Sequence, residues 1–385
     1  MPVSVDTHAG QQLVELVADF AQREIAPRVP AYDRDERLPR DLLTEMADLG
    51  FFGGTISPEY GGLGLDFVTF ATVIEEVYKT CNIMGCLMSM PSGLVGASIE
   101  RFGTPEQKGR WLRPLAEGRI FGAAGVTEPG SGSDVAGMQT TYRRDGDEVV
   151  ISGTKAWISN LDIASFLVTF ATSDRSLRHR GVTAFIIPTD TPGLGLFPYK
   201  DKLGFRPICT GEVVLDEVRV PAGAMLGEEG AGFAVAMTAV ERGRLGVATR
   251  AVGVAQACLD EATSYAVERF AFGHAISEFQ IVQSKVTDMA VGVQTARLLV
   301  ADAARALDRG ERARKLTSMA KMYASDVAMR SATDSLQIHG AYGVSPEYRI
   351  GRLFRDAKVL QIVEGSNDLH RALIGEMALG LRTDA

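Results

Sequence analysis

Apolar residues recur at helical spacing through the first third of the chain. In residues 11–25 they fall every three or four positions, and Pro27 follows the last of them. This period places apolar side chains on one face of a helix. It predicts helices over 11–25, 41–49, 67–78 and 91–102. We therefore expect an all-α domain over residues 1–121, with the glycine-rich segment 58–64 as a connecting turn.

After residue 121 the pattern changes to short runs of β-branched and aromatic residues. The runs are 149–151, 166–168, 183–187 and 212–215, and they are separated by Gly, Pro and Asp. Short apolar runs between turn-forming residues are typical of a compact, mainly antiparallel sheet. The sequence therefore predicts a β-barrel or sandwich-like domain over residues 122–232.

The last third returns to helical spacing. One long apolar face runs from Met237 to Cys258, and three further periodic segments follow near 276–307, 314–338 and 356–379. Four helices of this length suggest a four-helix bundle over residues 233–385. The predicted fold class is thus α+β, with a helical domain, a β domain and a helical bundle in that order.

Composition excludes several kinds of partner. The 385-residue chain has a formal net charge of −8, so it has no electrostatic attraction for nucleic acid or anionic lipid. Its apolar stretches are far shorter than the roughly 20 residues that span a membrane. Its four cysteines and five histidines show no metal-binding spacing. We expect a reducing, cytoplasmic environment, no metal and no membrane.

One carboxylate stands at a structural break near the end of the chain. Glu364 follows an apolar run at 353–363 and precedes Gly-Ser-Asn, which ends the predicted helix. A glutamate that is partly desolvated has a raised pKa and can act as a base. Spacing alone favours an ordinary helix-terminal glutamate in water.

Two segments of the middle third are candidate ligand walls. Segment 125–134, GVTEPGSGSD, has small residues that let a backbone approach a ligand closely and offers N–H and hydroxyl donors. It has neither the Walker nor the dinucleotide-binding pattern. Trp157, one of two tryptophans, precedes Ser159. It is either a buried structural residue or an aromatic wall for a planar ring.

Several motifs in register resemble the acyl-CoA dehydrogenase family. They are VTEPGSGSD at 126–134, WISN at 157–160, RFAFG at 269–273, QIHG at 337–340, and RDAK at 355–358 followed by EGS at 364–366. They run in the family's order over nearly the whole chain. The resemblance implies FAD-dependent α,β-dehydrogenation of an acyl thioester, with electrons passing to an electron-transfer flavoprotein.

The resemblance also assigns roles by position. Glu364 matches the base that takes the α-proton while the β-hydrogen leaves as hydride to flavin N5. Some relatives carry the base on the long helix instead, at the position of Gly243, so that alternative is excluded here. The cofactor-binding positions are Val126, Thr127, Ser133, Trp157 and Ser159 along the flavin, Arg269, Phe272, Gln280, Gln337 and Gly340 at the adenine and pyrophosphate end, partly across a subunit boundary, and Gly365, Ser366 and Asn367 beyond the base. The substrate-binding positions are Ser133, Glu241 and Arg244.

The resemblance leaves the substrate open. We expect a homotetramer that acts on a short or medium, linear or branched acyl group. The run 81–90, which is rich in Met and Cys, either lines the pocket for this group or is ordinary core packing. The thioester carrier is either CoA or an acyl or peptidyl carrier protein of secondary metabolism. Two other classes are an oxidase or monooxygenase of the same fold, which usually lacks Glu at position 364, and a non-catalytic scaffold, which should have lost the base or the flavin wall.

Overall fold

The computed structural model describes residues 8–382, and its N-terminal region is helical. The helices are α1 (His8–Phe20), α2 (Val29–Asp35), α3 (Arg40–Asp48), α4 (Phe67–Thr80), α5 (Asn82–Ser89), α6 (Gly96–Phe102), α7 (Pro105–Gln107) and α8 (Arg113–Ala116). A π-helical turn, Ala21–Ile25, continues α1 as predicted for 11–25. The helix predicted over 91–102 starts later, at Gly96. Sequence periodicity missed α5 because all eight of its residues are buried, so it has no polar face.

Helix α4 fastens this region to the C-terminal one. Asp66 caps the helix by accepting a hydrogen bond from the Thr69 amide at 2.7 Å. The carboxylate of Asp308 accepts a second one from the Phe67 amide at 2.7 Å. The buried side of α4 includes Ile74 and Tyr78. The helix is therefore fixed at its N-terminus from two sides, and its buried face lies beside the cavity described below.

The middle region is one eight-stranded sheet. Its strands are β1 (Phe121–Gly125), β2 (Thr141–Asp145), β3 (Glu148–Ser159), β4 (Ala164–Thr172), β5 (Val182–Pro188), β6 (Leu194–Pro198), β7 (Thr210–Pro221) and β8 (Met225–Leu226). Their order is β6-β7-β3-β2-β4-β5-β8, with β1 beside β4. The β1–β4 and β2–β4 pairs are parallel and the others antiparallel. The mainly antiparallel sheet is thus confirmed.

An irregularity in β3 sets the direction of one functional side chain. The pairing of β3 with β7 shifts between Lys155 and Ile158, and Trp157 inside this shift has φ +61°. A β-bulge of this kind turns a side chain away from the regular alternation. Next to it, the buried Lys155 Nζ donates to Glu128 Oε1 at 2.8 Å. The ion pair ties the bulge to the loop that follows β1.

The C-terminal region begins with three long helices and ends with two short ones. They are α9 (Gly232–Glu268), α10 (Gln280–Asp308), α11 (Arg314–His339), α12 (Ile350–Leu360) and α13 (Asn367–Ala378), with the hairpin β9 (Phe270–Ala271) and β10 (His274–Ala275) between α9 and α10. Residues of α9 to α12 share one core. Close packing follows from its many alanines, among them Ala251 and Ala328. Among residues 8–382, no helix is long and apolar enough to cross a bilayer.

The periodic segment predicted over 356–379 is two helices, and the break predicted at Gly-Ser-Asn lies at their junction. The chain leaves α12 at Leu360 and starts α13 at Asn367. Between them Glu364 and Gly365 adopt φ +56° and +92°, which no right-handed helix allows. Ser366 then caps α13 by accepting from the Leu369 amide. The predicted fourth helix is therefore two helices joined by the turn that carries Glu364.

Candidate active site

The turn between α12 and α13 holds Glu364 in a strained conformation. A non-glycine residue with positive φ costs on the order of 1–3 kcal/mol and persists only where its surroundings fix it. Here the Asn367 amide donates to Gln361 O at 2.9 Å and closes the turn. Lys321 Nζ donates to Gly365 O at 2.7 Å. His370 Nε2 donates to Glu364 O at 3.2 Å, and burial lowers the pKa of His370 to about 3, so the ring is neutral. The turn is held from several sides.

Asn367 anchors this turn from behind. Its side chain is buried, and Oδ1 accepts from Lys321 Nζ at 2.9 Å and from Ser325 Oγ at 3.1 Å. Its Nδ2 donates to Asp326 Oδ1 at 2.8 Å. It was predicted to continue along the cofactor, but among the described residues it lies in a polar network behind the cavity wall. Its structural role is to position the turn.

The carboxylate of Glu364 projects into a cavity of about 970 Å³. All three regions of the chain contribute to its wall, including Phe70 of α4, Trp157 of β3 and Arg244 of α9. The carboxylate lies directly over Gly243 of α9, where an added Cβ would be 2.9 Å from Oε2. A glutamate can occupy this place because residue 243 has no side chain. Position 243, which the resemblance gives as the alternative place for the base, therefore lies directly beside the Glu364 carboxylate.

Burial raises the pKa of Glu364. The charges of Arg244, Arg250 and Lys321 act in the opposite direction and favour the carboxylate form, but the loss of hydration is the larger effect. A carboxylate with a raised pKa is a stronger proton acceptor than one in water. The interpretation of Glu364 as an ordinary helix-terminal glutamate in water is therefore wrong.

The β domain forms the opposite wall of the cavity. Val126, Thr127, Ser133, Trp157 and Ser159 all line it. Trp157 is 64% exposed, and its ring centroid lies 4.9 Å from that of Tyr199. The alternative of a buried structural tryptophan is wrong, because the bulge turns the indole into open space. Gly365 and Ser366 also line the cavity, so these predicted positions lie together with Glu364.

A second group of predicted cofactor positions lies elsewhere. We call Arg269, Phe272, Gln280, Gln337 and Gly340 the distal patch. All five are exposed, and none lines the cavity. Phe272 is 95% exposed at the β9–β10 hairpin, and the Arg269 guanidinium lies 5.6 Å from the Tyr342 ring centroid. The residues thus lie around the end of the bundle where α9 ends, α10 begins and α11 ends.

The two predicted substrate-binding positions on α9, Arg244 and Glu241, lie in different places. Arg244 is buried and lines the cavity, and burial lowers its pKa to about 10, so it remains charged near neutral pH. Its Nε donates to Glu364 O at 3.4 Å. Glu241 does not line the cavity. Its Oε1 accepts from the Ala313 amide at 2.7 Å, just before α11. Glu241 therefore stabilises the start of α11, which is a structural role at some distance from the base.

Sequence reasoning missed three charged or titratable side chains of this site. Lys321 and His370 bind the turn around Glu364, and Arg250 lines the cavity. Burial lowers the pKa of Lys321 to about 7. A signal was present for two of them, since Arg250 and Lys321 interrupt otherwise small or apolar helix faces. Such an interruption indicates a buried charge, but it does not identify the groups that the charged side chain contacts.

Comparisons with known proteins agree with this architecture. Models of the acyl-CoA dehydrogenase N-terminal, middle and C-terminal domains match residues 7–119, 123–218 and 230–379. The mitochondrial short-chain specific acyl-CoA dehydrogenase of Bos taurus is 39% identical over 96% of this chain and 89% of its own length.

Three solved structures are similar over nearly the whole chain. Butyryl-CoA dehydrogenase from Megasphaera elsdenii has a TM-score of 0.95 and 37% identity, covering 98% of this chain and 100% of its own. A chain from a structure of the electron transferring flavoprotein of Acidaminococcus fermentans has a TM-score of 0.95 and 38% identity, with 98% and 100% covered. The prolyl acyl carrier protein oxidase AnaB has a TM-score of 0.93 and 31% identity, with 97% and 99% covered.

Fold and cavity together define an oxidoreductase built from two helical domains and a β domain. The chain belongs to the acyl-CoA dehydrogenase family, whose members are flavoproteins. Within residues 8–382, no group of three or more His, Cys, Asp or Glu side chains is placed to hold a metal ion.

Proposed function

We propose that this protein is an FAD-dependent dehydrogenase that introduces an α,β double bond into an acyl thioester. The observation that carries the proposal is the position of the Glu364 carboxylate, over Gly243 and inside a cavity lined by all three regions. The raised pKa of Glu364 makes it a competent base for a weakly acidic α-proton. An oxidase or monooxygenase of this fold is less well supported, since it usually lacks this glutamate.

The β-domain wall of the cavity fits a flavin. Trp157 offers an open aromatic face for a planar ring. Thr127, Ser133 and Ser159 supply hydroxyl groups along the same wall. We propose that these residues, with Val126, Gly365 and Ser366, hold the FAD. FAD, when bound, supplies the acceptor for the β-hydrogen, and the protein's share is binding, orientation and the base.

The remaining chemistry is done by the turn itself. One oxygen of the Glu364 carboxylate takes the α-proton, and the acid form that results is stabilised by burial. Within residues 8–382 the amide N–H of Glu364 has no hydrogen-bond acceptor. We propose that it donates to the thioester carbonyl, where negative charge develops as the α-proton leaves. Lys321 and His370 hold the turn so that amide and carboxylate act from one residue.

The expected partners follow from the family. We propose an acyl-CoA as substrate and an electron-transfer flavoprotein as electron acceptor, supported by the similarity to the butyryl-CoA dehydrogenase and to a chain from the electron transferring flavoprotein structure. A carrier-protein-bound acyl or aminoacyl group is the second candidate, supported by the similarity to the prolyl acyl carrier protein oxidase.

We also propose that the protein is a homotetramer in which the distal patch contacts the cofactor of a neighbouring subunit. Phe272 and Arg269 support this proposal, since a 95% exposed phenylalanine beside an arginine is typical of a surface that another chain covers. Sedimentation that shows a monomer with full FAD would contradict it.

The decisive experiment is anaerobic titration of the purified protein with acyl-CoAs of increasing chain length. Bleaching of the visible flavin band by one of them is the expected result, and it identifies the substrate class. If FAD is bound but no CoA ester bleaches it, the same titration with acyl groups on carrier proteins tests the second candidate. A protein that binds no flavin would refute the proposed function.

A further inference from the structure

Arg250 of α9 is a buried cation to which the proposed reaction gives no role beyond lowering the pKa of Glu364. It is 6% exposed, it lines the cavity, and its Nε–H is buried without a hydrogen-bond acceptor. Within residues 8–382 it forms no ion pair. A buried charge without a counter-charge destabilises a fold by several kcal/mol unless something compensates it. Such a residue therefore indicates a missing anion.

The groups around Arg250 are uncharged. Its guanidinium carbon lies 5.5 Å from the Tyr78 ring centroid and 5.0 Å from that of Phe205. The Ser89 hydroxyl donates to Cys86 O at 3.0 Å, so the Tyr78 hydroxyl, 2.7 Å from Ser89 Oγ, must donate to that oxygen. Tyr78 therefore turns lone pairs, not its proton, towards other neighbours. These contacts hold the guanidinium in place, but they do not neutralise it.

Nearby acids are already engaged or needed elsewhere. Glu75 of α4 pairs with Arg297 at 2.7 Å. Asp356 of α12 accepts from the Phe205 amide at 2.8 Å. The remaining carboxylate whose charge Arg250 influences is that of Glu364. In the proposed reaction Glu364 becomes neutral when it takes the α-proton. Arg250 would then have no anion at all, unless the substrate brings one.

The position of Arg250 along α9 fits a substrate end. Gly243, Gly246, Val247 and Arg250 all line the cavity, and their spacing i, i+3, i+4 and i+7 puts them on one face. Seven residues of helix span roughly 10 Å. Helical side chains also lean towards the N-terminus, which brings the guanidinium back towards Glu364. The two glycines leave a groove between the base and the arginine.

We propose that Arg250 binds a carboxylate at the far end of the acyl group, so that the substrate is a monothioester of a short dicarboxylic acid. This inference rests on the proposed function for the orientation of the thioester, whose α-carbon must lie at Glu364. Arginine binds a carboxylate through two parallel hydrogen bonds, which selects both charge and geometry. The terminal carboxylate also compensates the buried guanidinium while the base is protonated.

The test compares two acyl chains that differ only at their end. Glutaryl and pentanoyl thioesters of pantetheine, the part that CoA and carrier proteins share, are offered to the FAD-loaded protein under anaerobic conditions. We expect the second-order rate constant for flavin reduction to favour the glutaryl ester by at least about 30-fold, in line with the usual cost of unpairing a buried charge. Arg250→Gln should remove this preference, because the glutaryl ester should lose far more of its rate and affinity than the pentanoyl ester does. Arg250→Lys should restore part of it.

Two further measurements separate the possible failures. Binding of the matching unreactive thioethers is measured by calorimetry, because it reports the subsite even if no ester is oxidised. If the carboxylate-ended thioether binds more tightly but neither thioester bleaches the flavin, the proposed dehydrogenation is refuted and the proposed carboxylate subsite is supported. Equal affinity for both thioethers, or an equal loss of affinity for both in Arg250→Gln, would contradict the proposed carboxylate subsite.

Thermal unfolding without ligand tests a purely structural role. If Arg250 serves to bind an absent anion, Arg250→Gln should be at least as stable as the wild type, since it removes an uncompensated buried charge. A marked loss of stability would instead show that the contacts with Tyr78 and Phe205 are its purpose. The control is Arg144→Gln, because Arg144 is exposed and pairs with Glu229 on the β domain. It should change neither binding nor the preference between the esters.

Discussion

The cavity around Glu364 and the distal patch differ in how complete they are within one chain. The cavity is enclosed by helices of both helical regions and by the sheet, and its base is held by hydrogen bonds from α11 and α13. The distal patch has its side chains on the surface, and Phe272 is 95% exposed. Both sets are assigned to the same cofactor by resemblance.

This difference suggests a division of labour. The part that moves a proton must hold atoms to within fractions of an ångström, which requires packing and hydrogen bonds from several elements. The part that holds the adenine end only has to bind, and a subunit contact can supply that. Substitutions in the cavity should therefore change the rate of flavin reduction and leave assembly unchanged. Substitutions in the distal patch should change assembly and FAD retention and leave that rate unchanged.

The largest effect is expected from Glu364→Gln. The amide keeps the size of the side chain but cannot accept the α-proton, so flavin reduction by substrate should fall about 10³- to 10⁴-fold. FAD content and sedimentation should match the wild type. Rapid anaerobic mixing measures the rate, and turnover at the wild-type level would sink the assignment of the base.

Gly243→Ala should have the next largest effect. The new Cβ would lie 2.9 Å from Glu364 Oε2 and 3.0 Å from Cδ, so the carboxylate must move aside. A displacement of about 1 Å at a reacting group costs roughly 10²-fold in rate. Stability should change little, because only the end of a flexible side chain has to shift. Gly375→Ala on α13 is the control, since an added Cβ there would meet nothing within 4 Å and Gly375 does not line the cavity. An unchanged rate in Gly243→Ala would contradict the placement of the carboxylate.

A smaller effect is expected from Phe272→Ser in the distal patch. If a second copy of the chain covers this side chain, its loss should weaken retention of FAD about tenfold and favour smaller assemblies. The rate of flavin reduction in the FAD-loaded fraction should stay the same. FAD content after gel filtration and sedimentation velocity measure both.

A matched change elsewhere makes this result specific. Phe197→Ser alters another exposed phenylalanine, on β6 and 55% exposed, and it should leave FAD content unchanged. Equal loss of FAD in both variants would mean that the distal patch has no special role.

The smallest effect is a shift in pH dependence in Lys321→Met. The Lys321 charge lowers the pKa of Glu364, while burial raises it. The pKa of Lys321 is about 7, so the charge is present on the acid side of the profile. Without it the pKa of Glu364 should rise, and the rate of flavin reduction should start to climb at a pH about one unit higher.

The control for this shift is Lys285→Met. Lys285 is paired with Asp334 on the surface of the bundle, and its loss should leave the profile in place. An acid limb that moves to lower pH in Lys321→Met would show that the lysine acts through the hydrogen bonds of the turn and not through its charge.

The sequence was most informative where periodicity is strong. It predicted α4, α10 and α11 closely. The family resemblance, and not periodicity, grouped Glu364, Trp157, Thr127, Ser133 and Ser159, which the structure brings to one cavity. Sequence reasoning missed α5, whose uniform burial removes the amphipathic signal. It gave 356–379 as one periodic segment, but it also predicted a break at Gly-Ser-Asn, and there Glu364 and Gly365 have the positive φ that separates α12 from α13.

The spacing of residues along the sequence could not predict contacts between side chains that are far apart in the chain. Arg244, Lys321 and His370 come from three different helices, and nothing in the spacing of their residues shows that they meet at one turn. The same holds for Glu241, which sits near Arg244 in the chain but binds the start of α11. Backbone curvature and packing between elements decide such contacts.

The missing side chain at position 243 also links two sites in evolution. Because a Cβ at this position would meet the carboxylate of Glu364, the residues at 243 and 364 are epistatic. In this chain a larger residue at 243 would displace the Glu364 carboxylate, so we expect a change at 243 to cost less once residue 364 is smaller. A base moved from one position to the other would therefore favour a change at both.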